Sequence, residues 1–446
     1  MKRTLNLFDM IMINLGAIIG AGIFAIIGIS ISKAGPSVVI SILISATIAL
    51  LTGISFSEIA LYVSKEGGVY EFAKEALSPF AGFMGGWAWL MGSTVAISAM
   101  LLSLGSYLDS LLGITLPIAY FAIASLAIFA IINIRGISNS AKTIRWLVFM
   151  NIAVLAIFVI VGLFFFKASN LQPFTPNGFY GVAAGSAIIF FAFTGFSRVT
   201  TIAEEVKNPK KNMPKAIIIS IIVSTLLYLV VAIVAVGMLN SRALGSSASP
   251  LAAAAAIVNN RLFDIIIAIG GISATAGVSF TGILGTSRVF FAMGRDGEFP
   301  KGLSVIDRFN TPINAILLVS LLVLVTLLFI KFSDTVELSN AGVLIAYAII
   351  NLAALNMSLR RRKSKKSKNK HLSDSKYFPI IPSLGFLSIL AMLSYLGMTT
   401  LYIMVGVLAL GIIYYISRNA KRRSAGKQLN AAVPAHSAVR EFGSRA

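Results

Sequence analysis

Apolar segments of about 20 residues recur along nearly the whole of this 446-residue chain, and this limits its fold more than any other feature. Hydrophobic residues make up 57% of the sequence, above the ~45–50% that is usual for soluble domains. A bilayer accepts such segments as helices, because a helix satisfies its own backbone hydrogen bonds. We therefore predict an all-α integral membrane protein. The twelve predicted transmembrane spans cover residues 7–32, 37–63, 79–108, 115–134, 143–166, 180–203, 214–238, 264–292, 313–331, 336–358, 379–397 and 399–417.

The distribution of basic residues predicts how the spans are oriented. The net charge is +21, from 37 Lys and Arg against 16 Asp and Glu. With both termini in the cytoplasm, 30 basic residues fall in cytoplasmic segments and 5 in external loops, which is the positive-inside pattern. The largest cluster, residues 360–370, directly follows a span, so we expect it to contact anionic lipid rather than nucleic acid. We expect a multi-pass protein of the plasma membrane, in which Met1-Lys2-Arg3 leads directly into the first span without a cleaved signal.

Two of the predicted spans are interrupted near their middle. Gly20-Ala21-Gly22 breaks the first span, and Phe193-Thr194-Gly195-Phe196 breaks the sixth. Unwound backbone at membrane depth is tolerated where it is buried in protein or lines a cavity, and there its freed N–H and C=O groups can bind charged groups of a ligand. The two breaks therefore predict a transporter whose substrate lies near the membrane midplane. The alternative is close helix packing through small residues, which the spacing of Gly16 and Gly20 also fits.

The stretch from Phe191 to Ala216 carries the most specific local motif. It begins Phe-Ala-Phe-Thr-Gly-Phe-Ser-Arg, continues through Glu204-Glu205, and ends Lys-Asn-Pro-Lys-Lys-Asn-Met-Pro-Lys-Ala. Together with residues 19–24, this stretch resembles the amino acid–polyamine–organocation (APC) superfamily. Four further stretches resemble the same superfamily in the same order: Glu58 with Gly67-Gly68-Val69-Tyr70, Ser138–Lys142, residues 295–300 followed by Thr311-Pro312, and Gly342–Tyr347 leading to Leu359-Arg360.

The resemblance implies a leucine-transporter-like fold, in which two inverted repeats of five spans are followed by two more helices. The tail after the last span is polar and rich in small residues, so we expect it to be disordered, and its last six residues are typical of a cloning remnant. The predicted organisation is a first repeat over 1–166, a second over 167–358, a basic cytoplasmic loop over 359–378, two spans over 379–417 and a cytoplasmic tail over 418–446.

The resemblance also assigns an amino acid site to the two breaks. The N–H groups of Ala21 and Gly22 would hold the substrate carboxylate, and the carbonyl of Ile18 would accept from its ammonium, together with carbonyls of the sixth span. Spans 3, 8 and 10 would shape the side-chain pocket, which a glycine in span 8 would leave roomy where some members of the superfamily have a bulky aromatic residue. The expected substrate-binding residues are Ile18, Gly20, Ala21, Gly22, Phe191, Ala192, Thr194, Gly195 and Gly282.

The positions of the acidic residues favour a neutral substrate. No Asp or Glu falls near the middle of a predicted span, and a buried cationic side chain would need such a partner. A cationic amino acid or polyamine remains the alternative, because carbonyls and aromatic rings can also host a cation. Asn151 stands where many proton-coupled members have a lysine and where animal cationic amino acid transporters have asparagine. The expected coupling and gating residues are Asn151, Ser197, Glu58 and Glu204.

Other classes of protein are less consistent with the residues present. The two histidines, His371 and His436, lie outside the predicted spans, and there is no cysteine, so we expect no enzyme, metal site or cofactor. A channel would need a continuous polar lining, whereas the polar positions here converge on two breaks. The expected partners are an amino acid substrate and membrane lipid, with no nucleic acid and no obligate protein partner. The chemical identity of the substrate, and the choice among exchange, uniport and ion symport, stay open.

Overall fold

The computed structural model describes residues 5–20, 22–63, 67–114, 116–136, 141–307, 311–363 and 378–432. Helices make up most of this backbone, and the one β-type pairing within it is an isolated parallel bridge between Leu5 and Val206.

The first helix begins with a capping box. The Asn6 side chain accepts from the Asp9 N–H at 3.0 Å, and the Asp9 carboxylate accepts from the Asn6 N–H at 3.1 Å.

The described residues contain sixteen α-helices and two segments of different winding. Gly22–Ile26 is wound as a π-helix and Phe190–Glu205 as a 3₁₀-helix, and we call them the π segment and the 3₁₀ segment. Shorter 3₁₀ turns cover Gly35–Ser37, Ala168–Leu171, Ala256–Val258 and Lys301–Ser304. The α-helices are α1 (Leu7–Ile18), α2 (Ile27–Ala34), α3 (Val38–Ala60), α4 (Val69–Ala76), α5 (Pro79–Leu112), α6 (Ile118–Ile134), α7 (Ala141–Phe164), α8 (Gly178–Ile189), α9 (Pro209–Met238), α10 (Ser241–Gly245), α11 (Pro250–Ala255), α12 (Arg261–Arg295), α13 (Ile313–Phe329), α14 (Phe332–Lys363), α15 (Ile380–Leu393) and α16 (Met398–Ala432).

Eight helical segments of the described chain are long and apolar enough to cross a membrane. The first of them, Leu7–Ala60, covers two predicted spans, and α6, α13 and α15 are shorter apolar helices. Large apolar side chains point away from the bundle, among them Phe164 (84% exposed), Phe329 (81%) and Tyr402 (75%). Water would make such a surface unfavourable, whereas lipid tails accept it. The helices therefore form a multi-pass membrane protein.

The end of the chain differs from the sequence-based expectation. We expected disorder after residue 417, but α16 continues as a helix to Ala432, and residues 433–446 lie outside the described part. The extension is rich in Ala, Lys, Arg and Gln, which are strong helix formers, and it continues a helix that has already formed, so no new nucleus is needed. Low hydropathy marks the end of the membrane-spanning part there, but not the end of the helix.

Buried serine side chains attach α8 to the helices beside it. The Ser30 hydroxyl of α2 donates to the Gly185 carbonyl at 2.9 Å, and from α3 the Ser41 hydroxyl donates to the Val182 carbonyl at 2.7 Å. The Ser45 hydroxyl repeats this contact one turn further along, at 2.8 Å from the Ser186 carbonyl. Each serine satisfies its own donor within the low-dielectric interior, so the contacts fix α8 without leaving an unpaired polar group.

Helix α5 runs through the centre of the bundle, between α12 and α14. A Cβ atom on Gly92 would lie 2.8 Å from the Ser339 carbonyl oxygen, and one on Gly342 would lie 2.7 Å from the Gly92 Cα. Larger residues could not occupy these positions without separating α5 from α14. The two glycines therefore allow the backbones to approach closely, as small residues do between membrane helices.

We name the two ends of the bundle by their charged residues. The inner end carries Lys74, Arg295 and Arg360, and the outer end carries Lys33 and Arg242. In the positive-inside prediction the inner end faces the cytoplasm.

At the inner end, α16 is attached to the loop that follows α12. The Arg418 guanidinium forms an ion pair with Glu298, and both side chains are largely buried, at 13% and 9% exposed. The Arg422 guanidinium donates to the Gly297 carbonyl at 2.7 Å, and the Tyr414 hydroxyl donates to the Glu298 carbonyl at 3.0 Å. The Arg418 guanidinium also lies over the Tyr415 ring, 5.0 Å from its centre. The helical extension thus holds this loop through side-chain and backbone contacts.

The same loop is attached to α4 through Asp296. Its carboxylate accepts from the Tyr70 hydroxyl at 2.8 Å and forms an ion pair with Lys74. Partial burial alone would raise the pKa of Asp296, but the hydrogen bonds from Lys74 and Tyr70 and the charges of Lys74 and Arg295 outweigh it and hold that pKa below its usual value. Asp296 therefore stays ionised, and the loop stays attached to α4, throughout the physiological pH range.

We predict that Arg418→Ala destabilises the protein by about 3 kcal/mol, because it leaves the buried Glu298 carboxylate without a counter-charge. The measurement is thermal unfolding of the purified protein in detergent. Arg242→Ala is the matched control, because Arg242 is exposed and makes no contact in the described chain. Equal melting temperatures for Arg418→Ala and the control would contradict the prediction.

Candidate functional site

A cavity of about 680 Å³ lies where α1, the π segment and the 3₁₀ segment face α5, α12 and α14. It is bounded by both interrupted spans, which lie 175 residues apart in the chain. Folding therefore brings together most of the candidate residues that the sequence indicates. The candidates that line the cavity are Ile18, Gly22, Phe191, Ala192, Thr194, Gly195, Ser197 and Gly282.

The first span is interrupted at the predicted place. Helix α1 ends at Ile18, the π segment begins at Gly22, and Ala21 lies outside the described residues. The Ile18 carbonyl, which no longer continues the helical ladder, accepts from the Tyr228 hydroxyl at 2.5 Å. The same hydroxyl lies 3.2 Å from the Ala192 carbonyl of the 3₁₀ segment. Tyr228 of α9 therefore connects the two interrupted spans.

The sixth span differs from the expectation of an unwound break at residues 193–196. The winding changes at Phe190, where α8 gives way to the 3₁₀ segment, and the backbone stays helical through Glu205. The Thr194 hydroxyl donates to the Phe191 carbonyl at 2.8 Å, and the Tyr347 hydroxyl of α14 donates to the Thr194 carbonyl at 2.8 Å. Where the winding of a helix changes, backbone carbonyls can lose their usual backbone donors, and side-chain donors can replace them. The sixth span is therefore wound more tightly at this place and is not unwound.

Three buried tyrosines donate to the backbone of the two interrupted spans. Besides Tyr228 and Tyr347, the Tyr107 hydroxyl of α5 donates to the Phe24 carbonyl of the π segment at 2.6 Å. All three side chains are at most 1% exposed. Our sequence analysis did not identify them as site residues. The sequence does contain a signal for them, which is a tyrosine in the middle of a predicted span. Tyrosines of membrane helices lie mostly at the membrane interfaces, and one in the middle of a span needs a buried hydrogen-bond acceptor.

The glycines of the two breaks bring backbone segments into contact. A Cβ atom on Gly22 would overlap Ala192, and one on Gly195 would lie 2.5 Å from the Ala17 carbonyl. A Cβ on Gly20 would lie 2.5 Å from a methyl carbon of Val278 in α12. Gly20 therefore serves close helix packing and is not among the described lining residues of the cavity. Gly22 and Gly195 pack closely and also line the cavity.

Asn151 and Glu58 are not among the described residues that line the cavity. The Asn151 side chain is buried in α7, and its carbonyl oxygen has no partner among the described residues. Glu58 is buried near the inner end of α3, where the Tyr62 hydroxyl lies 3.5 Å from its carboxylate. The side chain of Glu204 lies outside the described part. Within that part, no group of three or more His, Asp or Glu side chains could hold a metal ion.

The cavity reaches the inner end and is closed at the outer end. Gly67, Tyr70 and Pro312 line its inner mouth together with Ile306, which is 54% exposed. At the outer end, the Ser103 hydroxyl of α5 donates to the Ala248 carbonyl at 2.8 Å, and this joins α5 to the loop between α10 and α11.

An ion pair adds to this closure. The Lys33 ammonium at the end of α2 lies 3.4 Å from the Glu337 carboxylate at the start of α14. The described lining includes residues of the inner end and none of the outer loops, so the cavity opens toward the inner end.

Two arginines give the cavity its charge. Arg288 and Arg295 of α12 line it, and no Asp or Glu is among the described lining residues. The rest of the wall is largely apolar or backbone, including Trp89, Ile97 and Val343. This arrangement suits a ligand with a carboxylate and an apolar part and offers no counter-charge for a cationic side chain.

Comparison with known proteins agrees with this geometry. The model of the family described as Amino acid permease matches residues 9–417. Among similar proteins, the branched-chain amino acid permease BcaP of Bacillus subtilis is 30% identical, with 94% of each chain covered, and the methylthioribose transporter of the same species is 31% identical, with 93% of each chain covered. The chloroplastic cationic amino acid transporter 9 of Arabidopsis thaliana is 28% identical, over 67% of this chain and 56% of its own. This chain therefore belongs to the amino acid permease family of the APC superfamily, whose members are membrane transporters and not enzymes.

Proposed function

We propose that this permease is a secondary active transporter of neutral L-amino acids with apolar side chains, working by alternating access. The observation that carries the proposal is the cavity between the two interrupted spans, which has no acidic residue in its described lining. A carboxylate is needed to balance a cationic side chain, whereas an apolar side chain needs only volume. The relative named as a branched-chain amino acid permease supports the same substrate class.

The proposed membrane topology has twelve spans in a 5+5 inverted repeat with two further helices. The first repeat covers residues 1–166 and the second 167–358. The packing supports this, because α3 contacts α9 and α5 contacts α12, which pairs the second span with the seventh and the third with the eighth. Elements at equivalent places in the two repeats thus face each other, as a pseudo-two-fold axis requires. Both termini and the basic loop after α14 are assigned to the cytoplasmic side of the plasma membrane.

In the proposed pose, the substrate spans the gap between the interrupted helices. Its carboxylate binds the N–H groups at Ala21 and Gly22, and its ammonium donates to the carbonyls of Ile18, Phe191 and Thr194. The Ile18 and Phe191 carbonyls each accept one side-chain hydrogen bond, and a carbonyl oxygen has two lone pairs, so each can accept a second. The Thr194 carbonyl accepts from both Tyr347 and Ser197, so the substrate ammonium would take the place of the longer bond from Ser197, at 3.2 Å. The tyrosine and threonine hydroxyls would thus hold the carbonyls in position before the ligand arrives.

Of the two glycines of α12 that line the cavity, Gly285 leaves room for the substrate side chain and Gly282 does not, contrary to the roomy pocket expected at Gly282. A Cβ on Gly282 would meet Ile97 of α5 at 2.8 Å, whereas a Cβ on Gly285 would meet nothing within 4 Å. The cavity is therefore narrow beside Gly282 and open one turn further toward the inner end. Each methylene buried against this wall contributes about 0.8 kcal/mol, which favours a branched or long apolar side chain over that of alanine.

The structure corresponds to the inward-facing state of the proposed cycle. The cavity reaches the inner mouth, while the contacts of Tyr107, Ser103 and Lys33 close the outer end. Transport requires a second state in which these outer contacts open and the inner mouth closes. A channel would need one continuous pathway, and the closed outer end does not provide it.

We predict that leucine, isoleucine and valine compete with labelled leucine far better than lysine, arginine or agmatine do. The physical reason is the cost of placing an ammonium or guanidinium in a cavity whose described charged residues are arginines. The measurement is inhibition of leucine counterflow into proteoliposomes. The amine that leucine would leave on losing its carboxylate is the control, and we expect it to compete poorly. Strongest competition by arginine or lysine would establish the cationic alternative.

We predict that this counterflow proceeds when sodium is replaced by choline. The described chain has no cluster of acidic side chains for a cation, and Asn151 cannot exchange a proton as a lysine does. Initial rates with matched sodium and choline buffers give the test. An absolute requirement for sodium would contradict the prediction and would indicate ion ligands among the hydroxyls of α12.

We predict that Tyr228→Phe lowers leucine affinity by on the order of tenfold, because the Ile18 and Ala192 carbonyls lose the donor that positions them. Equilibrium binding in detergent measures this, with thermal unfolding as the check on folding. Tyr402→Phe is the control, because Tyr402 is 75% exposed. A folded Tyr228→Phe protein with the affinity of the control would remove Tyr228 from the site.

A further inference from the structure

Arg288 stands out among the residues that line the cavity. It is one of two charged side chains in the described lining, and its side chain is exposed to that space. The other, Arg295, lies 3.9 Å from the Asp296 carboxylate. Arg288 makes no hydrogen bond and no ion pair with any residue of the described chain. A guanidinium whose five donors have no partner among the described residues therefore faces the cavity.

The position of Arg288 places it between the inner mouth and the proposed binding site. It follows Gly282 by six residues of α12, which corresponds to about 9 Å along a helix. Helix α12 runs from the outer to the inner end, and Cα–Cβ bonds tilt toward the N-terminus of a helix. The Cα–Cβ bond of Arg288 thus tilts along the helix axis toward the outer end, which is the direction in which Gly282 precedes it. A solute that enters from the inner mouth passes this guanidinium before it reaches the interrupted spans.

A topological role alone does not explain these observations. Basic residues at the inner ends of spans commonly extend to lipid headgroups and satisfy the positive-inside pattern. Arg288 instead lines a cavity with protein walls that opens at the inner end, and low-dielectric walls concentrate the field of a charge. No acidic residue of the described lining neutralises that field. The field of Arg288 therefore acts on the solute that occupies the cavity.

We infer that Arg288 is a specificity-determining residue, which discriminates against cationic amino acids and polyamines and favours solutes that carry a second carboxylate. The inference rests on the proposed function, because it concerns the choice among amino acids at that site. A zwitterion has no net charge, so the field changes its affinity little. A second positive charge on the side chain is repelled, and a second negative charge is attracted.

The test compares pairs of amino acids of similar shape and different charge. Lysine is paired with norleucine, and glutamate with glutamine, in equilibrium competition against labelled leucine in detergent at low ionic strength. The variants are Arg288→Met, which removes the charge and keeps much of the length, and Arg288→Lys, which keeps the charge. Arg242→Met at the outer end is the control for removal of a basic residue elsewhere. Thermal unfolding verifies that each variant is folded.

We expect Arg288→Met to improve lysine relative to norleucine by on the order of tenfold, the size expected for two unit charges about 10 Å apart at an effective dielectric constant of about 20. The same variant should weaken glutamate relative to glutamine. Arg288→Lys and Arg242→Met should leave both ratios near those of the original protein. Opposite shifts of the two pairs identify a charge effect, because a change of cavity size would move both pairs in the same direction.

Two outcomes would overturn the inference. One is a folded Arg288→Met protein with unchanged ratios, and the other is a shift of both pairs in the same direction. If Arg288→Met does not fold, the original protein still gives a test, since raising the salt concentration screens the field and should improve lysine relative to norleucine. An absence of any salt effect would then count against Arg288. If neutral amino acids fail to compete in the original protein, the proposed function fails instead, whatever the variants show.

Discussion

The structure depends on how it satisfies backbone carbonyls where helices are interrupted inside a membrane. Lipid offers no hydrogen bonds, so each carbonyl released from the helical ladder needs a donor from the protein. Three buried phenols, from Tyr107, Tyr228 and Tyr347, donate to carbonyls of the two interrupted spans, and each comes from a different helix. These bonds tie α5, α9 and α14 to the interrupted spans, so the stability of the bundle and the geometry of the site have a common origin.

The cavity follows from an imbalance of side-chain size between its two sides. Glycines let the π segment contact the 3₁₀ segment and let α5 contact α14, so backbone closes one side of the space. On the other side, Gly285 of α12 faces open space and leaves volume in the cavity, whereas Gly282 packs against Ile97 of α5. Small residues thus act in two ways here, since they permit close packing where helices cross and leave volume where they do not.

Charge is distributed differently at the two ends of the bundle. At the inner end, Asp296 and Glu298 anchor one loop to α4 and to the extension of α16, and this loop adjoins Arg295 at the cavity mouth. At the outer end, the pair of Lys33 and Glu337 is weaker evidence for stability, because Lys33 is 44% exposed and water screens the interaction. A partly exposed pair is easier to separate, as the outer gate of the proposed transport cycle would require.

The sequence by itself determined the membrane class, the approximate places of the helices, the family and most of the residues that meet at the cavity. It could do so because apolar length, glycine breaks and local motifs are properties of contiguous residues. Only the tertiary structure decided that the sixth span changes winding at Phe190 instead of unwinding, that Gly20 packs on α12, and that Tyr228 bridges both breaks. It alone decided that Arg288 faces the cavity without a hydrogen-bond or ion-pair partner among the residues that the structure describes. These features depend on which side chains of distant segments come within hydrogen-bonding or contact distance, and a linear pattern does not contain that information.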